Sequence, residues 1–118
     1  MKCLTNLNKD MMPMGEYHVK VDRKARQDIC DIGDYISEIL LQPSISNKIV
    51  KGLRKSITNL QYFPYQFPII QDAILYKSGM RCMPYKNYYI IYVVNENTKS
   101  VIIIRVIYNK RNWRRILS

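Results

Sequence analysis

The spacing of apolar residues changes period along the chain. Tyr17, Val19 and Val21 alternate with His18 and Lys20, the period of a half-buried strand. Ala25, Ile29, Ile32, Ile36 and Ile39 then recur at spacings of 4, 3, 4 and 3. That stripe predicts an amphipathic helix, with Asp22 as N-cap and with Arg23, Lys24, Asp28, Asp31 and Asp34 on the wet side. Gly33 weakens it by up to about 1 kcal/mol relative to alanine. Gln42-Pro43 ends or reorients it. Ser44 or Ser46 suits the cap of a second helix, whose stripe is Ile45, Ile49, Leu53, Ile57 and Leu60. Two helices joined by so short a link predict an antiparallel helical hairpin.

The period then returns to that of strands. Phe63 to Pro68 is a stiff connector, and Ile69–Lys77 is extended, either a strand or a lid-like loop. Ser78-Gly79 turns the chain into a strand starting near Arg81, in which Pro84 requires an edge or a bulge. Tyr88–Val94 and Val101–Tyr108 flank the polar Asn95–Ser100, a hairpin signature. Beyond Tyr108 the cations and Ile116-Leu117 suit a short C-terminal helix. Met1–Gly15 has no period and reads as a disordered tail, leaving residues 16–118 as a single domain. An N-terminal strand, a helical hairpin and then three or four antiparallel strands predict an α+β fold. Its helices would cover one sheet face and leave the other open to a partner.

Charge adds a direction. The 118 residues carry a formal net charge of +10, which attracts phosphates, acidic membrane surfaces or an acidic protein. Arg81 to Leu117 concentrates it, with Arg81, Lys86, Lys99, Arg105, Lys110, Arg111, Arg114 and Arg115 against the single acid Glu96. No apolar run approaches the roughly 20 residues that cross a bilayer, so no membrane partner is expected. Cys3, Cys30 and Cys82 are an odd set without metal-ligand spacing, and no secretory apolar segment precedes them. They predict free thiols in a reducing cytoplasm, with Cys30 and Cys82 as small core residues.

Most catalytic chemistry has no residues to perform it. His18 is the sole histidine, the glycines are never clustered, and the nine acids are scattered. No cofactor and no metal are therefore expected. Cations and phenols remain: the former bind phosphates, and the latter stack on bases. Tyr88, Ile90 and Tyr92 share one strand face, Tyr89, Ile91 and Val93 the other, and one set must pack on the helices. Arg105, in an otherwise apolar strand, must reach a carboxylate, the open face or solvent. The residues read as binding a target or nucleic acid are Arg81, Lys86, Tyr88, Arg105, Lys110, Arg111, Trp113 and Arg114.

Three patterns in order resemble the RelE/ParE toxins of bacterial type II toxin–antitoxin pairs. They are Arg81 followed by Asn87-Tyr88-Tyr89-Ile90-Ile91-Tyr92, then Val101 to Val106 with Arg105, then Tyr108-Asn109-Lys110-Arg111-Asn112-Trp113. The resemblance implies a growth inhibitor neutralised by a cognate antitoxin, an acidic or amphipathic segment, within a hetero-oligomer. The last pattern is similar to the ParE-type ending, whose members poison DNA gyrase. RelE-like members cut mRNA on the ribosome. Arg111 matches their late arginine, but Tyr89 stands at the strand arginine and Leu117 at the late tyrosine.

Three readings follow. The first is a ParE-like gyrase inhibitor with no chemistry of its own. The second is a ribosome-dependent mRNA endonuclease, with Arg81 and Arg111 on the scissile phosphate and Tyr108 or Tyr88 at the nucleotide. The third is an inactive basic nucleic-acid-binding relic.

Overall fold

The computed structural model describes residues 17–71 and 79–108. The expected disordered tail, the C-terminal helix and most of Ile69–Lys77 lie outside the described residues. The elements are strand β1 (His18–Val21), helix α1 (Arg23–Asp34), helix α2 (Pro43–Asn59), and strands β2 (Arg81–Tyr85), β3 (Tyr88–Asn95) and β4 (Ser100–Tyr108). They form an α+β domain with the sheet order β1-β4-β3-β2. Strands β2, β3 and β4 are antiparallel, as their hairpin spacing predicts. The sheet as a whole is mixed, because β1 lies parallel to β4, with His18 opposite Ser100 and Val21 opposite Ile103. The helical hairpin fills the crossover that such a parallel pair requires.

One core lies between the helices and the sheet. Ala25, Ile29 and Ile36 of the first stripe and Ile49, Leu53, Ile57 and Leu60 of the second are buried. They meet Met83, Ile90, Tyr92, Val101, Ile103 and Val106. The Tyr92 hydroxyl donates to the Pro64 carbonyl at 2.7 Å, anchoring the connector to the core.

The ends of both stripes depart from the helical period. Residues Tyr35–Ile39 form a π turn continuing α1, in which the Leu40 amide donates to the Tyr35 carbonyl. The wider turn rotates Ile39 off the stripe, and it is 66% exposed. Leu41 completes the link in the left-handed region (φ 54). Ser46 is no cap: it lies inside α2, buried, and donates to the Gly33 carbonyl at 2.7 Å. Pro43 opens α2 instead, where its missing amide costs nothing. Asp22 stands at the N-cap of α1 but its carboxylate makes no cap bond there. Cys30 is exposed rather than in the core, because it follows Ile29 by one residue and so turns about 100° away from the buried stripe.

The far sheet face is partly covered. Pro68 to Ile70 folds back on β2: the Ile70 amide donates to the Met80 carbonyl, and Ile69 bridges to Arg81. Ile70, Ile91 and Ile107 are buried there beside Met80, Cys82 and Tyr89. A bulge in β4 makes this possible. The register steps from Ile91 opposite Arg105 to Tyr92 opposite Ile103, so Ile104 is the extra residue. Val101 and Ile103 before it, and Val106 after it, therefore all face the helices. Pro84 sits on β2, an edge strand, as its missing amide demands.

Candidate functional site

The structure does not gather the cations expected to act together. Arg81 begins β2 and Lys86 follows its end, so about 13 Å or more of strand separates them. Arg81 lies on the helix-facing side, donating to the Phe67 carbonyl at 2.6 Å, with its guanidinium 4.9 Å from the Tyr65 ring centroid. Lys86 takes the left-handed conformation the β2–β3 turn requires (φ 53), and its ammonium lies 5.7 Å from the Tyr85 ring.

Arg105 is engaged internally. It meets Asp28 of α1 at two points, Nε to Oδ2 at 2.7 Å and NH2 to Oδ1 at 2.9 Å. The Val106 amide donates to the same Oδ2 at 2.9 Å. β1 ends opposite Ile103, so among the described residues no strand pairs with the β4 edge beyond it, and the Asp28 carboxylate takes that place. The hydrogen bond to Asp28 holds the Arg105 pKa above its ordinary value. The remaining candidates Lys110, Arg111, Trp113 and Arg114 lie outside the described residues.

Tyr88 and Tyr108 do come together. They are cross-strand neighbours with rings 5.5 Å apart in an edge-to-face arrangement. Burial, then the neighbouring Tyr108, raises the Tyr88 pKa. With Asp31, Ile32, Tyr35, Ile36 and Leu40 they line a cleft of about 500 Å³ between α1 and the sheet. Ile39, Leu40, Leu41 and Ile45 extend an exposed apolar surface beyond its rim, with Leu41 77% exposed. Patches of this kind on small domains mark interaction sites. Sequence reasoning missed the cleft. Its signal was the run Ile39-Leu40-Leu41, too apolar for one helix face.

The opposite end of the sheet carries a polar cluster. Tyr17 and Tyr65 both donate to Glu96 on the β3–β4 turn, and Lys99 pairs with it at 3.1 Å. The Tyr17 hydroxyl, then Lys99, holds the Glu96 carboxyl below its ordinary range. Among the described residues no group of three or more histidine, cysteine or acidic side chains is placed to hold a metal ion. No helix among them is long and apolar enough to cross a membrane.

Comparison with known proteins places this arrangement. The family model described as the ParE toxin of the type II toxin–antitoxin system parDE matches residues 19–113. No curated protein matches the chain. Among solved structures, the chromosomal ParDE system of P. aeruginosa is 20% identical, covering 81% of this chain and 99% of its own, with a TM-score of 0.68. The RelBE2 toxin–antitoxin complex of Mycobacterium tuberculosis is 17% identical, covering 82% and 95%, with a TM-score of 0.57. A mutant of the E. coli toxin RelE in its free state is 13% identical, covering 86% and 90%, with a TM-score of 0.57. At these identities the structures establish a shared fold.

Proposed function

The chain belongs to the ParE toxin family of type II toxin–antitoxin systems, and from that premise we propose that it arrests growth as a ParE-like inhibitor of DNA gyrase in the cytoplasm. The family match across residues 19–113 carries this reading. Two further features support it. Transfer of a phosphoryl group needs cations converging on one phosphate. Among the described residues, Arg81 and Lys86 stand at opposite ends of β2, and Arg105 is committed to Asp28. Tyr89, at the place of the nuclease branch's strand arginine, packs into the far-face apolar cluster. Inhibition through a protein surface needs no such convergence.

Neutralisation by an antitoxin fits the cleft beside Tyr88 and Tyr108. An amphipathic segment would lay its apolar side on Tyr35, Leu40 and Tyr108, each about half exposed or more at the cleft. Folding on contact is the usual behaviour of such segments.

The test is a supercoiling and cleavage assay with purified gyrase and plasmid DNA. Accumulation of cleaved complexes at micromolar toxin is the expected result. Unchanged supercoiling, together with ribosome-dependent cuts in a toeprinted message that vanish in Arg111→Ala, would establish the endonuclease reading in its place.

A further inference from the structure

At the end of the sheet away from the cleft, Glu96 sits on the exposed β3–β4 turn. Three donors from different parts of the chain nevertheless meet at its carboxylate. The Tyr17 hydroxyl lies 2.7 and 2.8 Å from the two oxygens, Tyr65 donates at 3.0 Å, and the Lys99 ammonium at 3.1 Å. The donors are fixed from behind. The Tyr17 amide bonds to Gln61 and the His18 amide to Lys99. Tyr17 and Tyr65 pack edge to face at 6.1 Å. Arg81 lies over the Tyr65 ring, 4.9 Å from its centroid, and helps to hold the ring in place.

The acceptor is held differently. The turn backbone is pinned by the Asn95 side chain, which accepts from the Asn97 and Thr98 amides. The Glu96 side chain can therefore swing out while the turn keeps its shape. The other acids of the described residues, Asp22, Asp28, Asp31, Asp34 and Glu38, all belong to α1 or its flanks. Among the described residues Glu96 is the one acid at this end, set among Arg81, Lys99 and two phenols.

We propose that the Tyr17 and Tyr65 hydroxyls and the Lys99 ammonium form a phosphate-binding subsite, which Glu96 occupies as a built-in competitor. A phosphate oxygen offers these donors the same acceptor chemistry as a carboxylate, with more charge. The phosphate could come from a nucleic-acid backbone or be a free or terminal group. The subsite is independent of the gyrase reading and shares no residue with the cleft.

Fluorescence anisotropy with a short labelled single-stranded RNA tests it. Glu96→Gln should tighten binding about fivefold and steepen the log affinity against log salt by about 0.7. Glu38→Gln makes the same change of charge on the π turn after α1 and should move affinity by less than about twofold. Adding Tyr17→Phe and Tyr65→Phe to Glu96→Gln should return affinity to that of the parent. Inorganic phosphate that abolishes the Glu96→Gln gain assigns the subsite to a free or terminal group. A gain that resists phosphate assigns it to the backbone diester. Glu96→Ser, which removes the carboxylate and withdraws the side chain from the cradle, serves if Glu96→Gln melts early. An equal gain from Glu38→Gln, or a gain that survives loss of both phenols, overturns the proposal, as does no gain in either Glu96 variant.

Discussion

Asp28 holds Arg105 at two points and, through the same Oδ2, accepts the Val106 amide, so one carboxylate stands in for a strand along the open half of β4. The pair is partly buried, at 24% and 14% side-chain exposure. Its removal takes a bidentate acceptor from the guanidinium and an acceptor from the Val106 amide. Asp28→Ala should cost about 2–3 kcal/mol, somewhat less than breaking a fully buried pair. Urea midpoints measure it. Asp28→Asn, which can still accept from the Val106 amide, should lose less than Asp28→Ala.

Gly52 of α2 lies directly beneath the Tyr85 phenol, and a methyl group there would collide with its hydroxyl. The phenol must move off the helix, so Gly52→Ala should destabilise by about 0.5–2 kcal/mol, net of the up to about 1 kcal/mol that alanine gains over glycine inside a helix. Pairing it with Tyr85→Leu should recover part of that loss, a coupling that a double-mutant cycle detects.

Burial pushes the Tyr92 phenol up to about 12 from its ordinary 10.0. The folded-state pKa is raised, so the contribution is complete below pH 10 and is lost as pH rises through 12. Denaturation followed between those values should show stability falling with pH. Tyr92→Phe should flatten that fall while lowering stability at neutral pH by about 1–2 kcal/mol, because the Pro64 carbonyl loses its donor.

The apolar cleft predicts where neutralisation fails. Leu40→Asp and Tyr35→Asp place a charge where an apolar contact is expected, and both side chains are about half exposed, so folding should be spared. Co-purification with the antitoxin should drop by roughly tenfold or more. Growth arrest should then persist when the antitoxin is co-expressed. Glu38→Ala on the same helix is the matched control.

Period alone placed most of the scaffold. The stripes Ala25-Ile29-Ile36 and Ile49-Leu53-Ile57-Leu60 are the helical half of the core, and the Tyr88–Tyr108 hairpin is its sheet half. Three features were not legible for physical reasons. The direction of β1 depends on a partner in distant sequence, which no local period encodes. The π turn at Tyr35–Ile39 preserves the apolar spacing on paper while rotating Ile39 outward. The β4 bulge at Ile104 resets strand parity between Ile103 and Val106. Of the expected site, Tyr88 and Tyr108 met as neighbours. The Asp28 partner of Arg105 was hidden because Asp28 reads as one more residue on a wet helix face.

The parallel pairing of β1 with β4 also fixes an order of events during synthesis. His18 leaves the ribosome before the helices and the other strands, and its partner Ser100 arrives only after both helices and two other strands. Until then the nascent N-terminal strand has no edge to join, and the sheet cannot close on the helices. The toxin is thus withheld from its final shape until β4 has been made, a delay written into the topology itself.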